Sequence, residues 1–250
     1  MPDFEKYNRL KGIIKNDGNI VIAYSGGADS TLLLKAAIEV SESISSGKVT
    51  AVFVNSIFIN FQEREMALNT VREMPVDFKE IFVDVVSNKE IISNKTDRCY
   101  HCKKLIMETI IKAFPNMILL EGSNTDDLLE YRPGKKAIEE LGIKSPLIEA
   151  GLAKKEILEL LEYFDFPQAK IHSTACLATR ICENTEITGQ ALKMVETAEN
   201  IMTREGFTGH RVRHHGKYAK IEFKDKKQRY INKDVLNKIK SIGFEYIETL

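Results

Sequence analysis

Residues Ser25 to Ser30 read Ser-Gly-Gly-Ala-Asp-Ser, and these six residues could handle phosphate. Gly26 and Gly27 admit backbone conformations that a side chain forbids. The N–H groups of such a turn, and of a helix that starts from it, form a cradle for anions. Ser25 and Ser30 add hydroxyl donors. Asp29 would repel a phosphate on its own, so its expected partner is a bound Mg²⁺. The run is not a Walker P-loop, because no lysine follows the glycines until Lys35. It is not a dinucleotide fingerprint either, because Gly-x-Gly-x-x-Gly is absent.

A second candidate loop is Leu120-Glu-Gly-Ser-Asn-Thr-Asp-Asp127. Gly122 permits close backbone approach, and Asn124 and Asp126 suit a polar ligand, although either could simply cap a helix. Arg132-Pro-Gly134 adds a cation beside a rigid turn. The cysteines are Cys99, Cys102, Cys176 and Cys182. Cys99 and Cys102 have the Cys-x-x-Cys spacing of a chelate or a redox dithiol. Zinc would need four ligands, which Cys99, Cys102, Cys176 and either Cys182 or His101 could supply. An iron–sulfur cluster on three thiolates and a set of unligated thiols are the other options. Cys182 by itself reads as a small apolar residue. Cys176 sits among small residues in Ser173-Thr-Ala-Cys-Leu-Ala-Thr-Arg-Ile181, and Arg180 could bind a phosphate there. Arg211 and Arg213 have strand spacing, so both guanidiniums face one side and could grip a phosphate. Residues 204–229 hold nine Lys/Arg and three Asp/Glu. That excess could equally be a solvated hairpin face or touch RNA, but it lacks the aromatic interleaving of a base-stacking platform.

These groups need a scaffold. Ile20-Val-Ile-Ala23 before the glycine turn predicts a strand within 18–24, and a helix follows over 29–43. An amphipathic helix is expected over 1–16, with Phe4, Tyr7, Leu10 and Ile14 near one face. Further strands are expected at 49–54, 78–86 and 117–120, with helices at 60–73 and 102–114. Such alternation implies an α/β fold with a parallel, doubly covered sheet, whose ligands bind at the C-terminal ends of the strands. The pattern changes near residue 185 to a helix (188–205), a hairpin (210–224), a helix (234–242) and a strand (244–249). The expected division is an α/β domain over 1–184 carrying the cysteine site and a small α+β domain over 185–250. Net charge is zero, so no overall field draws the chain to nucleic acid or an anionic membrane. No apolar run reaches the roughly 18 residues of a membrane span, and the N-terminus lacks the pattern of a signal peptide. A cytoplasmic protein is expected, with cysteines as thiols or metal ligands.

Ser25-Gly-Gly-Ala-Asp-Ser30 looks like the SGGxDS signature of the PP-loop ATP pyrophosphatases, which hold the pyrophosphate of ATP and transfer AMP to a substrate oxygen. Glu121–Asp127, Arg132–Gly134, Ser145–Leu152, Ala175–Ile181 and Arg211–His214 add to it. With them, nearly the whole chain resembles the LarE family, ATP-dependent sulfur transferases that build the nickel-pincer nucleotide of lactate racemase. The resemblance implies a Rossmann-like PP-loop fold and a pyridinium biscarboxylate mononucleotide as substrate. A carboxylate is adenylated, pyrophosphate leaves, and sulfur replaces the activated oxygen to give a thiocarboxylate. Two sulfur donors are implied: sacrifice of the cysteine in the Ala-Cys-Leu motif, or a [4Fe-4S] cluster whose open iron carries a hydrosulfide. With Cys99 and Cys102 beside Cys176, this chain looks like the cluster form. The implied roles are ATP and Mg²⁺ binding by Ser25, Gly26, Gly27, Asp29, Ser30, Gly122, Asn124 and Asp126, and catalysis by Cys176 and Asp29. Arg180, Arg211 and Arg213 would take the substrate phosphate, joined by Glu199. A sulfide source and a homo-oligomer are implied as well. The competing readings are a tRNA-thiolating PP-loop enzyme, an amidotransferase-type synthetase and a zinc-stabilised nucleotide-binding protein.

Overall fold

The structure, a computed structural model, describes residues 2–43, 47–170, 175–224 and 230–250. Ser173 and Thr174 of the small-residue run and residues 225–229 of the basic stretch lie outside the described residues. In chain order the elements are α1 (Phe4–Lys15), β1 (Ile20–Ala23), α2 (Ala28–Ser43), β2 (Val49–Asn55), α3 (Phe61–Arg72), β3 (Asp77–Phe82), α4 (Lys89–Ile92) and α5 (Arg98–Ala113). Then follow β4 (Ile118–Leu120), α6 (Pro133–Glu140), α7 (Pro146–Glu149), α8 (Lys154–Tyr163), α9 (Gly189–Arg204), β5 (His210–His215), β6 (Tyr218–Phe223), α10 (Lys233–Lys240) and β7 (Tyr246–Thr249). By contact the chain divides into two compact units. One is Met1–Ser56, Phe61–Val83 and Cys99–Thr174, and the other is Ile57–Asn60, Asp84–Arg98 and Ala175–Leu250.

The first unit is built on a parallel four-stranded sheet in the order β3-β2-β1-β4. β1 is central, and Ile20, Val21 and Ile22 are buried, as a parallel strand covered on both faces requires. Met107 and Ile110 of α5 and Ile138 of α6 pack with Val21, Val52 and Leu119. α2 packs on β1 and β2 and is flanked by α1 and α8. Leu32, Leu33, Leu34, Ala36 and Ala37 of α2 have no exposed surface, so α2 is a core helix rather than an amphipathic one. In α1, Tyr7, Leu10 and Ile14 are buried as expected, whereas Phe4 stays partly exposed with its ring edge-on to Tyr163. β3 stops at Phe82, short of the expected 86. It is an edge strand whose partner β2 ends at Asn55, opposite Phe82, so no ladder remains for it to extend. α5 begins at Arg98, earlier than the expected 102, and thus contains both cysteines of the Cys-x-x-Cys pair.

The second unit holds a three-stranded sheet in the order β5-β6-β7, with β5 and β6 antiparallel and β6 and β7 parallel. Its core gathers Ala198 and Met202 of α9, Val212, Ala219 and Ile221 of the hairpin, and Val235 and Ile239 of α10. Thr188 caps α9, its side chain accepting the Ala191 N–H at 3.1 Å.

Candidate active site

The glycine turn leaves β1 and enters α2. Gly26 has φ +77°, and a Cβ placed on it would stand 2.3 Å from the Ala67 Cβ of α3. Both the conformation and the contact therefore require glycine. The Ser25 N–H donates to Ser30 Oγ at 3.2 Å, and the Ser30 hydroxyl donates to the Gly27 carbonyl at 3.1 Å, so the turn is closed by its own last residue.

β4 lies beside β1 with Ile22 opposite Leu120, so the chain leaves both strands at one level. This brings Gly122 against the start of α2: a Cβ there would lie 3.0 Å from the Ser30 nitrogen. Asn124 Nδ2 donates to Asp29 Oδ1 at 3.1 Å, and Asn124 Oδ1 accepts the Asp126 N–H at 2.9 Å. Lys154 Nζ donates to Asp29 Oδ2 at 2.7 Å, and the Lys154 backbone N–H donates to Asp126 Oδ2 at 3.1 Å. Glu121 is buried and accepts the Ser123 N–H and hydroxyl, each at 2.9 Å, and the Ser145 hydroxyl at 2.6 Å. Mg²⁺ takes hard oxygen donors, commonly one or two carboxylates together with substrate phosphates. The partly exposed Asp29 carboxylate at the mouth of the turn fits that donor type.

Cys99 and Cys102 stand three apart in the first turns of α5, on one face of the helix. Pro133 and Gly134, expected in a turn, instead open α6 after Arg132, and they pack here: a Cβ on Gly134 would meet the Cys99 carbonyl oxygen at 3.5 Å. Arg132, the residue before α6, pairs with Asp127 at 2.6 Å and ties the helix start to the second loop. Thiolates suit zinc or iron–sulfur chemistry, and this pair supplies two of them. Cys99 and Cys102 belong to the first unit and Cys176 to the second. Among the described residues, no three His, Cys, Asp or Glu side chains are grouped so as to hold a metal ion.

In the second unit Cys176 precedes a short 3₁₀ turn, Leu177–Arg180. Arg180 is buried and spends its donors on protein: Nε and Nη2 on Glu199 at 2.8 and 3.2 Å, and Nη1 on the Ala175 carbonyl at 2.5 Å. Glu199 also accepts the Val212 N–H at 3.0 Å, joining α9, the cysteine turn and β5. Arg213 donates from Nη1 to the Thr179 carbonyl at 2.6 Å and from Nε to Glu222 at 2.9 Å. Arg211 lies two residues away on the same strand and is exposed. Asn94, buried at φ +53°, donates to the carbonyls of Ile181 and Cys182 at 3.3 and 2.7 Å. Cys182 Sγ rests 2.9 Å from His215 Nδ1.

No family model matches the chain. An uncharacterized protein of Methanocaldococcus jannaschii is 32% identical to it over 245 residues, 96% of this chain and 92% of that protein. Pyridinium-3,5-bisthiocarboxylic acid mononucleotide synthase of Lactiplantibacillus plantarum is 29% identical over 244 residues, 95% of this chain and 87% of that protein. This chain belongs to the LarE family. The solved structure of NMN synthetase from Francisella tularensis shares the fold, with a TM-score of 0.52 at 14% identity over 96% of this chain and 92% of that one. The fold is the PP-loop α/β fold expected from the sequence, and no helix among the described residues is long and apolar enough to cross a membrane.

In this LarE-family chain the structure gathers Ser25, Gly26, Gly27, Asp29, Ser30, Gly122, Asn124 and Asp126 around one turn. It gathers Arg180, Arg213 and Glu199 beside Cys176. Sequence reasoning missed Lys154, Asn94 and the inward role of Glu121. Asn94 is a non-glycine residue with positive φ in a helix-ending segment, which gives no signal in a single sequence. Lys154 lies in Gly151-Leu-Ala-Lys-Lys155, where only the end of the Ser145–Leu152 motif hinted at a role.

Proposed function

We propose that this chain uses ATP to adenylate a carboxylate of a pyridinium biscarboxylate mononucleotide and then exchanges the activated oxygen for sulfur. The carboxylate oxygen attacks the α-phosphorus of ATP and pyrophosphate departs; sulfide then attacks the acyl carbon and AMP departs. The observation that carries the reading is the meeting of the glycine turn with the Gly122–Asp126 loop around Asp29. The relative named as a mononucleotide synthase, alike over nearly the whole chain, supports it.

The N–H groups of the turn and the start of α2 hold the polyphosphate. Asp29 would hold Mg²⁺, whose charge would offset that of the polyphosphate. Gly122 lets the second loop close directly against the start of α2 at Ser30, Asn124 orients Asp29, and Asp126 holds Asn124 and the Lys154 main chain. Arg211 and Arg213 bind the substrate phosphate, while Arg180 and Glu199, closed on each other, hold that part of the site in shape. Cys99, Cys102 and Cys176 would hold a [4Fe-4S] cluster, which would supply the sulfide for the exchange. Activation is needed because a carboxylate is a poor electrophile and AMP a good leaving group.

The test is anaerobic turnover with ATP, Mg²⁺, sulfide and the biscarboxylate mononucleotide, followed by intact-protein mass spectrometry. Several turnovers with the Cys176 mass unchanged are expected. Conversion of Cys176 to dehydroalanine after one turnover would show that the cysteine itself is the sulfur donor.

A further inference from the structure

The glycine turn carries no lysine of its own, and Lys35, the first after it, is turned to Glu39 at 2.7 Å. The fold brings a lysine from elsewhere. Lys154 comes from 125 positions further along the chain and reaches Asp29 Oδ2 at 2.7 Å. Its main chain is tied to the second loop through Asp126, and the residue two before it accepts the Thr125 N–H and hydroxyl at 3.0 and 3.1 Å. The backbone of Lys154 is thus fixed while its four-carbon stem can still turn. The Lys154 side chain is 30% exposed and that of Asp29 26%, so the pair borders solvent and is not locked in the core. Mg²⁺ on the same carboxylate would bring a divalent charge beside the ammonium, and like charges at that range exclude each other.

We infer that Lys154 is a polyphosphate ligand that competes with Mg²⁺ for Asp29. Its ammonium neutralises Asp29 until Mg²⁺ with ATP arrives, then turns to the phosphate oxygens as the metal takes the carboxylate. This rests on the ATP reading above. Lysine suits the exchange, being a compact point charge on a flexible stem.

The test compares wild type, Lys154→Gln and Lys154→Arg in two titrations, with thermal melts as a check on folding. One is Mn²⁺ without nucleotide, followed by water-proton relaxation; the other is ATP with Mg²⁺, followed by calorimetry. Lys154→Gln is expected to bind Mn²⁺ about twofold to fivefold tighter, the scale of a partly exposed ion pair. The same variant is expected to bind ATP about tenfold weaker, with Lys154→Arg close to wild type in both. Opposite shifts of this kind would not come from a general loosening of the site. A Mn²⁺ affinity that is unchanged, weaker or undetected in Lys154→Gln overturns the inference, as does unchanged ATP affinity. Wild type failing to bind ATP at all would overturn the ATP reading and this inference with it.

Discussion

Arg180 and Glu199 close on each other in two prongs, Nε to Oε1 at 2.8 Å and Nη2 to Oε2 at 3.2 Å, with both side chains buried. The same glutamate holds the Val212 N–H of β5, and the same arginine holds the carbonyl of Ala175, next to Cys176. One ion pair therefore fixes both the cysteine turn and the strand that carries Arg211 and Arg213. Glu199→Ala would leave a buried guanidinium and a buried amide without partners, and a loss of about 3 kcal/mol or more is expected in denaturant unfolding. The double change Arg180→Met with Glu199→Leu should cost less than Glu199→Ala, because no charge is left stranded.

Gly26→Ala should damage the turn for two separable reasons. The residue has φ +77°, and its new methyl would fall 2.3 Å from the Ala67 Cβ. Strained backbone costs on the order of 1–3 kcal/mol, and the steric conflict adds to it. Adding Ala67→Gly should recover only part of the steric cost, because the new methyl would still lie 2.8 Å from the Ala67 Cα, and paired unfolding curves on the single and double variants would read that part.

His214 gives the stability a pH dependence. Burial holds its imidazole below the ordinary histidine value of 6.5, and the neighbouring His215 pushes the same way. The unfolded chain then takes up this proton at higher pH than the folded one. Stability is full above pH 6.5 and falls as the pH drops from there toward the folded value. His214→Gln should shrink the drop in melting temperature between about pH 7.5 and 5.5. Carboxylates such as Glu80, held low mainly by the Arg64 side chain, act in a more acid window and leave this comparison clean.

Iron analysis should separate the cysteines. Cys99→Ala, Cys102→Ala and Cys176→Ala are each expected to lose most of the bound iron after anaerobic reconstitution. Cys182→Ser should keep it, because the Cys182 thiol already has a partner in His215. Iron unchanged in Cys99→Ala would count against the cluster assignment.

The parts of this fold legible in the sequence are those made by local pattern. The apolar run Ile20–Ala23, the glycine turn and α2 follow from composition and period alone, as do α9 and the β5–β6 hairpin. Helices α6, α7 and α8 carry weaker local signals: α7 has four residues, and neither Arg132 before α6 nor Ala153 before α8 caps its helix with its own side chain. The site was legible where one motif held it, as in Ser25–Ser30. It was hidden where partners meet across the sequence, as with Lys154 on Asp29 and Asn94 on the carbonyl of Cys182. Arg180 is the instructive case: its type suggested phosphate, but Glu199 lies nineteen positions away on α9 and engages it first.

Adenylation at the glycine turn is tested most directly by identifying what becomes of ATP. With Mg²⁺, ATP and the biscarboxylate mononucleotide, the chain is expected to release AMP and pyrophosphate in equal amounts. Asp29→Asn should slow that release by about a hundredfold or more. ADP and phosphate as the products, or AMP release untouched by Asp29→Asn, would contradict it.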